Sequence, residues 1–370
     1  MAILFAFGWA IFLTATAVQL FYWFYFFSRL AFYRPALPAE AKGEKSVSVI
    51  ICARDEAKNL RKNLHHFLNQ NYRSFELLVV NDNSSDETAE VLLEFQEKSP
   101  KLRVINSQHP SLPGKKIALT SGIEAAHHHV LLLSDADCRP AGPDWIRLMH
   151  GALKDGVEIG LGYSPYRRRP GWLNRFIRFE AIYTATQYLS FALAGQPYMG
   201  VGRNLIYTKA AFRRHDGFQH HLDLMSGDDD LFVNQAATKS NTSIMIDRGA
   251  FVFSEPKSTL RDYYYQKFRH LTTGRRYRPF HQLLLGALSA SHAAHYLAGA
   301  LLLLFGSQPF LVFLTYLVRM GVVSFLFRRI MRQLDDPSLW KWVPVLDAGF
   351  LLYYFSLAPV LITGKVKQWK

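Results

Sequence analysis

The sequence HVLLLSDADCRP, His129 to Pro140, is the stretch that decides the fold. Four consecutive apolar residues, Val130 to Leu133, are typical of a strand that is buried on both faces of a parallel sheet. Alternate side chains of an extended chain point the same way, so Asp135 and Asp137 share one side where the strand ends. Ligands of open α/β sheets bind at that end. Two carboxylates there suit a divalent cation, while a turn with solvated carboxylates is the plainer alternative.

Strands and helices alternate on the amino-terminal side of this stretch. The apolar runs predict strands at Ser46 to Cys52, Phe75 to Val80 and Leu102 to Asn106. Helical spacing predicts helices at Asn59 to Asn69, Thr88 to Gln96 and Gly114 to about Ala126. Such alternation predicts an α/β fold with a doubly wound parallel sheet.

Acidic residues follow three of the predicted strands. Asp55 and Glu56 come after the first strand, Asp82 after the second, and Asp135 and Asp137 after the fourth. Carboxyl ends of parallel strands meet at one edge of a sheet, so the set indicates a nucleotide pocket, although any one of them could instead cap a helix.

Phosphate binding in this pocket needs a cation and basic side chains, because the chain has neither GxGxxG nor GxxxxGK[ST]. Lys115 or Lys116, at the start of a helix, is consistent with that role. Asp86 or Ser85 is interpreted as a helix cap. Cys138 adjoins Asp137, but hard cations prefer oxygen ligands, so packing as a reduced thiol is its expected role.

The composition indicates a membrane protein. The chain is 49% hydrophobic yet has a formal net charge of +14. Ala2 to Phe27 has no charged residue and is long enough to cross a bilayer as an uncleaved anchor. The basic residues that follow, Arg29, Arg34, Lys42 and Lys45, place the next domain in the cytoplasm. No zinc-finger, basic-zipper or RNP-like pattern is present, so no nucleic-acid partner is expected.

Three apolar stretches lie near the carboxyl end of the sequence, at Leu283 to Phe305, Pro309 to Phe327 and Val343 to Ile362. The short turn between the first two predicts a membrane hairpin. The third contains Asp347 and leads into a basic tail (Lys365, Lys367 and Lys370). A full span would place that tail outside, against the charge rule, so a re-entrant or interfacial helix is favoured.

Segments between these two regions supply further candidate functional groups. Met199 to Asn204 is a glycine-rich turn before an apolar run. In Gly227-Asp228-Asp229-Asp230 the carboxylates repel one another, which raises one pKa towards that of a general base, and an acidic helix cap is the alternative. Gln266 and Arg269 share a helix face, and a guanidinium suits a diphosphate.

The segment Arg167 to Ala194 is basic at its start and then aromatic. It could be a buried helix, but an amphipathic helix on the bilayer is favoured.

The motifs VSVIICARDE, LLVVNDNSSDET, GKKIAL and LLLSDADC, in this order and spacing, resemble the cytoplasmic domain of membrane-bound inverting glycosyltransferases of the GT-A fold. That family includes cellulose and hyaluronan synthases and lipid-linked sugar transferases. The resemblance covers roughly Ser46 to Arg276. It implies a GT-A-type, mostly parallel sheet, with one N-terminal and two to three C-terminal membrane helices.

The resemblance also implies roles for single residues. Asp82 would contact the base or ribose and Glu56 would line the same pocket, while Asp135 would face the ribose and diphosphate. Asp137 would bind Mg²⁺ or Mn²⁺, with Asp135 beside it, and Lys115 or Lys116 would neutralise phosphate.

On the acceptor side, Gly202 and Arg203 would line the acceptor site. Asp229 would deprotonate the acceptor if the motif is aligned on Gly227, and Asp228 if it is aligned on the following Asp-Leu. Gln266 and Arg269 resemble the QxxRW motif of processive members. His270 stands where those members have Trp, which weakens the case for a processive polymerase.

These observations predict a multi-pass protein of the inner or plasma membrane. Its expected parts are a transmembrane anchor (1–28), a linker (29–45), a cytoplasmic catalytic domain (46–280) with an interfacial helix at about 168–195, and a membrane region (281–370). The expected activity is metal-dependent, inverting transfer from a UDP- or GDP-sugar to a lipid-linked or glycan acceptor. A processive polysaccharide synthase and a non-catalytic membrane scaffold are the alternatives.

Overall fold

The computed structural model describes residues 2–35, 45–107, 115–154 and 156–363. Its strands are β1 (Val47–Ala53), β2 (Phe75–Asn81), β3 (Leu102–Asn106), β4 (Val130–Asp135), β5 (Cys138–Pro140), β6 (Ile159–Gly162), β7 (Leu205–Thr208), β8 (Thr242–Met245) and β9 (Val252–Ser254). The first half of the helices comprises α1 (Ala2–Phe21), α2 (Ser28–Ala31), α3 (Ala57–Leu68), α4 (Thr88–Lys98), α5 (Lys115–Ala125), α6 (Trp145–His150) and α7 (Trp172–Leu193). The second half comprises α8 (Lys209–Arg214), α9 (Asp230–Ala236), α10 (Leu260–Leu271), α11 (Pro279–Leu304), α12 (Pro309–Gln333) and α13 (Val343–Thr363).

Seven strands form one sheet in the order β3-β2-β1-β4-β7-β6-β8. The first four in that order are mutually parallel, β7 is antiparallel to both of its neighbours, and β6 and β8 are parallel. Strands β1 and β2 are apolar and almost wholly buried, as expected of central strands of a parallel sheet. The predicted mostly parallel α/β fold is confirmed. Strands β5 and β9 form a separate antiparallel pair, which the sequence did not indicate.

Apolar layers cover both faces of the sheet. On one face, α3 and α6 pack against the side chains that β1 and β2 direct to that face. On the other face lie α5, α7 and parts of the long apolar helices. Helix α5 lies so close to the sheet that a Cβ on Gly122 would be 2.9 Å from both Ile50 and Val80. The start of α5 is thereby held at the carboxyl edge of β1, although Gly114, the predicted helix start, lies outside the described residues.

Within the part of the chain that the structure describes, three helices are long and apolar enough to cross a membrane: Ile3–Ala31, Pro279–Leu304 and Pro309–Gln333. A π-helical turn, Tyr22–Phe27, joins α1 to α2, so the first helix continues to Ala31 and past the predicted boundary at residue 28. Most of the predicted linker, residues 36–44, lies outside the described residues. Helices α11 and α12 form the expected hairpin, whose turn has positive φ at Gly306 and Gln308.

Helix α13 packs against α10, α11 and α12. Its one charged residue, Asp347, is 5% exposed and is paired with Arg319 of α12, which is 1% exposed, at 2.6 Å. Tyr296 of α11 donates to the same carboxylate at 2.6 Å. The pair explains how a charge is accommodated in this helix. The basic tail lies outside the described residues, so the re-entrant or interfacial interpretation stays a prediction.

The segment that was predicted to lie on the bilayer is buried instead. Helix α7 contacts the N-terminal helix on one side and β8 on the other, and Ile177, Ile182 and Phe191 are at most 1% exposed. Few apolar side chains are left to enter a bilayer, although Trp172 at the start of the helix is 49% exposed. The interfacial prediction is therefore wrong for most of this helix, and the alternative of a buried helix holds.

Candidate active site

A cavity of about 880 Å³ lies at the carboxyl edge of the parallel strands. The site residues that the sequence predicted and that line it are Glu56, Asp82, Lys115, Asp135, Asp137, Gly202, Arg203, Asp228, Asp229, Gln266, Arg269 and His270. They come from separate parts of the chain, which the sheet topology brings together. Of the predicted site residues, Lys116 is the one that the cavity does not include.

Two adjacent lysines at the start of α5 have different surroundings. The ammonium of Lys115 contacts Asp135 directly and lies 3.4 Å from Asp228. Lys116 is 3% exposed and donates to the backbone carbonyls of His221 and Leu224. Lys115 is thus the lysine that faces the cavity, while Lys116 fixes the loop that leads to Gly227.

Asp135 and Asp137 are close enough together to share a divalent cation. Their carboxylate oxygens and the Cys138 thiol lie within 4.8 Å of one another. Burial and the charge of Asp135 raise the pKa of Asp137, so the two acids repel each other in a way that a divalent cation relieves. Burial raises the pKa of the Cys138 thiol well above its usual value, and that thiol lies 3.2 Å from Asp137 Oδ1. The oxygen donors fit Mg²⁺ or Mn²⁺, and Cys138 stays a packed thiol.

Acidic residues that follow β1 and β2 complete this end of the cavity. Burial, followed by the charges of Asp137 and Asp135, raises the pKa of Glu56 to about 7. Asp82 lies just after β2, and its N–H donates to the carbonyl of Ala53 at 2.8 Å. Asp86 does not line the cavity and accepts N–H groups from the first turns of α3 and α4, at 3.2 and 3.0 Å. The interpretation of Asp86 as a cap is confirmed.

The three consecutive aspartates have three different environments. Asp228 faces Lys115, and Asp230 accepts hydroxyl hydrogen bonds from Thr273 and from Tyr277, the latter at 2.7 Å. Asp229 accepts the N–H of Gly202 at 2.7 Å and also caps α9 through the N–H of Asp230. Burial, then the charges of Asp228 and Asp230, raises the pKa of Asp229 to about 7. The capping and general-base interpretations therefore describe the same side chain.

Helix α10 presents its polar face to the cavity. Gln266, Arg269 and His270 all line it, and Gln266 lies 3.5 Å from the hydroxyl of Tyr166. The guanidinium of Arg203 stacks on the ring of the same tyrosine, 4.7 Å from its centre. Two cationic side chains, Arg203 and Arg269, thus lie around the cavity that holds the acids.

Sequence reasoning missed several lining residues. Tyr166 had no motif around it. Glu180 of α7 forms an ion pair with Lys267 of α10, and both line the cavity. Helices α11 and α13 also contribute lining residues. A signal existed for Glu180, because it is the only acidic residue in the predicted segment Arg167 to Ala194.

An open α/β sheet with paired acids at its switch point, and with the partly buried Asp229 in the same cavity, is the arrangement expected of the GT-A class. Comparison with known proteins agrees with this class: residues 48–216 match the model of glycosyl transferase family 2. The chain therefore carries a glycosyltransferase family 2 domain of the GT-A fold, together with candidate membrane helices.

Individual relatives are more distant. The chain is 33% identical over 142 residues to the probable glycosyltransferase YdaM of Bacillus subtilis, covering 37% of this chain and 34% of that one. It is 36% identical over 104 residues to the dolichyl-phosphate beta-glucosyltransferase ALG5D of Trichomonas vaginalis, covering 26% and 31%. The chain thus matches about a third of the length of these two curated relatives.

Among solved structures, the mannosyltransferase PcManGT from Pyrobaculum calidifontis, in complex with GDP-Man and Mn²⁺, superposes with a TM-score of 0.61. The match covers 95% of this chain and 99% of that one at 17% identity. At that identity the likeness supports the shared fold.

Proposed function

We propose that the protein is a metal-dependent, inverting glycosyltransferase that moves a sugar from a UDP- or GDP-sugar to a lipid-linked or glycan acceptor. One observation carries this proposal. A single cavity holds the paired acids Asp135 and Asp137, the cation Lys115 and the partly buried acid Asp229. The matched family and the GDP-Man and Mn²⁺ held by the Pyrobaculum mannosyltransferase support the donor class and the metal.

The donor half of the cavity has the charges that a nucleotide diphosphate needs. Asp82 and Glu56 would contact the nucleoside, and Asp135 would face the ribose and diphosphate. Asp137, with Asp135, would hold Mg²⁺ or Mn²⁺, which when bound offsets negative charge on the diphosphate. Lys115 and Arg269 would neutralise further charge on the leaving diphosphate, with Gln266 beside Arg269.

Asp229 would act as the general base. The acceptor hydroxyl transfers its proton to a carboxylate oxygen of Asp229 as its oxygen bonds to the anomeric carbon. The bond from that carbon to the diphosphate breaks on the opposite face, so one displacement inverts the configuration. The hydrogen bond from Gly202 holds the carboxylate in place, and a pKa of about 7 suits a base that works near neutrality.

The decisive experiment measures release of nucleoside diphosphate from UDP- and GDP-sugars by the full chain in detergent, with and without Mn²⁺. We expect Mn²⁺-dependent release, and an Asp229→Asn variant that is roughly 10²- to 10⁴-fold slower but still shows donor-dependent thermal stabilisation. Asp216→Asn is the matched control, because Asp216 is an exposed acid outside the cavity.

Full turnover by Asp229→Asn would exclude the base assignment. Absence of release with every donor would instead support the non-catalytic scaffold. The length of the product separates single transfer from a processive synthase.

A further inference from the structure

The cavity that holds Asp229 continues into the candidate membrane helices. Besides the polar residues at the sheet edge, α11 lines it through Gly286, Ser289, Ala290 and Ala293. Helix α13 lines it through Phe350, Leu351, Tyr353, Tyr354, Phe355 and Leu357. A charged end and a mostly apolar end are therefore parts of one space.

Contacts along the chain place Asp230, next to the proposed base Asp229, beside the start of α11. Tyr277, two residues before α11, donates to Asp230, and the side chain of Asn234 in α9 lies 3.0 Å from His281 in the first turn of α11. The lining residues of α11 begin further along the helix, at Gly286. From there to Ala293 the helix rises about 10 Å, at 1.5 Å per residue. The cavity thus runs from the acids along the candidate span.

The two helices form opposing walls. On α11 the lining positions have the spacing i, i+3, i+4 and i+7, which is one helix face, and three of the four residues are Gly or Ala. On α13 the positions 350, 353, 354 and 357 have the same spacing and carry aromatic and leucine side chains. Small residues opposite large apolar ones leave a groove between the helices.

This groove is open on the side of the membrane helices. Gly286 and Ala290 are exposed, Phe355 is 56% exposed, and a Cβ on Gly286 would meet no described atom within 4 Å. With α11 spanning a bilayer, as its length and composition allow, the opening would face the hydrocarbon. Sugar hydroxyls would lose hydration against such walls, whereas an alkyl chain would gain by contact with them.

From this continuity we infer that the acceptor is a lipid. Its apolar chain occupies the groove lined by Gly286, Ala290, Ala293, Phe350 and Phe355, hereafter the lipid groove, and its hydroxyl reaches Asp229. The inference rests on the proposed function for the role of Asp229, but binding of the chain in the lipid groove requires no turnover.

The glycine in the groove allows a test that fills the space, because a Cβ on Gly286 would meet no described atom within 4 Å. Gly286→Trp places an indole where the chain would lie. Gly321→Trp is the matched control: Gly321 lies in α12, is exposed and does not line the cavity, and a Cβ there would likewise meet no described atom within 4 Å. Ala290→Trp is a second filling variant should Gly286→Trp fail to fold, which thermal unfolding reports.

The measurement is photolabelling of the full chain in lipid nanodiscs with a diazirine analogue of hexadecanol, followed by mass spectrometry of the labelled peptides. We expect label on α11 and α13 at lining positions, with unlabelled hexadecanol as competitor. In Gly286→Trp the indole should displace two or three methylenes of the probe from the groove, which lowers labelling about tenfold or more. Gly321→Trp labels as the unsubstituted chain does.

Each contrary result has a distinct meaning. Label spread evenly over the outer faces of α11 and α12, or an equal loss in both tryptophan variants, would overturn the lipid groove. The lipid groove would also be overturned if a soluble oligosaccharide competed with the photolabel and unlabelled hexadecanol did not. Labelling in the groove without any release of nucleoside diphosphate would retain the lipid site and reject the proposed reaction.

Discussion

Asp229 has a raised pKa because burial and two neighbouring carboxylates, Asp228 and Asp230, all disfavour its charge. A base must be deprotonated to accept a proton, so kcat/KM is expected to fall as the pH drops below about 7, tenfold per pH unit at the limit. The three aspartates interact, so the midpoint belongs to the cluster as a whole. Initial rates of nucleoside diphosphate release from pH 5 to 9 measure it.

Glu56 provides the control for this pH profile, because its pKa is also raised to about 7. If Asp229 is the base, Glu56→Gln lowers the rate through weaker donor binding but keeps the midpoint. A profile that becomes flat in Glu56→Gln would assign the titration to Glu56 and would contradict the role of Asp229.

The adjacent lysines are expected to respond differently to the same substitution. Lys115→Met removes the cation between Asp135 and Asp228, so donor binding should weaken about 10- to 100-fold, the range for charge-assisted hydrogen bonds. Lys116→Met leaves two backbone carbonyls without their donor and should lower the free energy of unfolding by about 1–3 kcal/mol. Thermal unfolding with and without a donor panel measures both effects. Equal effects of the two variants would contradict the assignment.

Single residues also show where sequence reasoning stops. The acids at the strand ends were predictable, because a strand end fixes the edge at which its next residues lie. The choice between Lys115 and Lys116 was not, because neighbouring helix residues differ in direction by about 100° and only the packing of α5 sets that angle. Tyr166 could not be found, since its contact with Arg203 joins segments with no common pattern.

Among the secondary-structure elements, β1 to β4 were predictable to within about two residues because continuous apolar runs end at polar turns. Strands β5 and β9 are three residues each, and their pairing depends on the surrounding fold. Helix α7 was misassigned because its basic start and aromatic body are shared by bilayer-surface helices and by buried helices. Its environment is set by the long helices that pack on it, which the local sequence does not specify.

Helix α13 is joined to α12 by a buried ion pair, and this pair was signalled in the sequence. Arg319 and Asp347 are the only charged residues in the apolar stretches Pro309 to Phe327 and Val343 to Ile362. Removing one member leaves the other as a buried charge without its ion-pair partner. Arg319→Met or Asp347→Leu alone should therefore destabilise the detergent-solubilised protein by about 3–5 kcal/mol.

The double variant Arg319→Met/Asp347→Leu is the control for this element. It buries two apolar side chains in place of the pair but also removes the acceptor of the Tyr296 hydroxyl, so its unfolding temperature should recover in part towards that of the unsubstituted chain. If the two single effects simply add in the double variant, the residues do not interact as the 2.6 Å contact indicates.

For the whole molecule, the candidate membrane helices and the catalytic domain form one continuous core. Trp23 and Phe27 of the N-terminal helix pack with Phe191 of α7 and Phe327 of α12, and all four are at most 2% exposed. The cavity is likewise built from both parts. Because of this packing, the cavity and the candidate membrane helices share one orientation, so a single labelling experiment can test the orientation of both.

The topology prediction follows from the hairpin of α11 and α12. Both helices are long enough to cross a bilayer, and α11 starts beside Asp230, so the turn at Gly306 to Gln308 should lie on the opposite side from the aspartate cluster. By the positive-inside rule, the basic residues after the N-terminal helix predict that these acids lie in the cytoplasm. In intact cells an impermeant maleimide should label Ser307→Cys but should label Ser240→Cys, on the catalytic domain, only after permeabilisation.

Both native cysteines are free and mostly enclosed, so a chain without new cysteines measures the background. Labelling of Ser240→Cys in intact cells would place the catalytic domain outside and would reverse the orientation, while equal labelling of both positions would mean that the hairpin does not span the membrane.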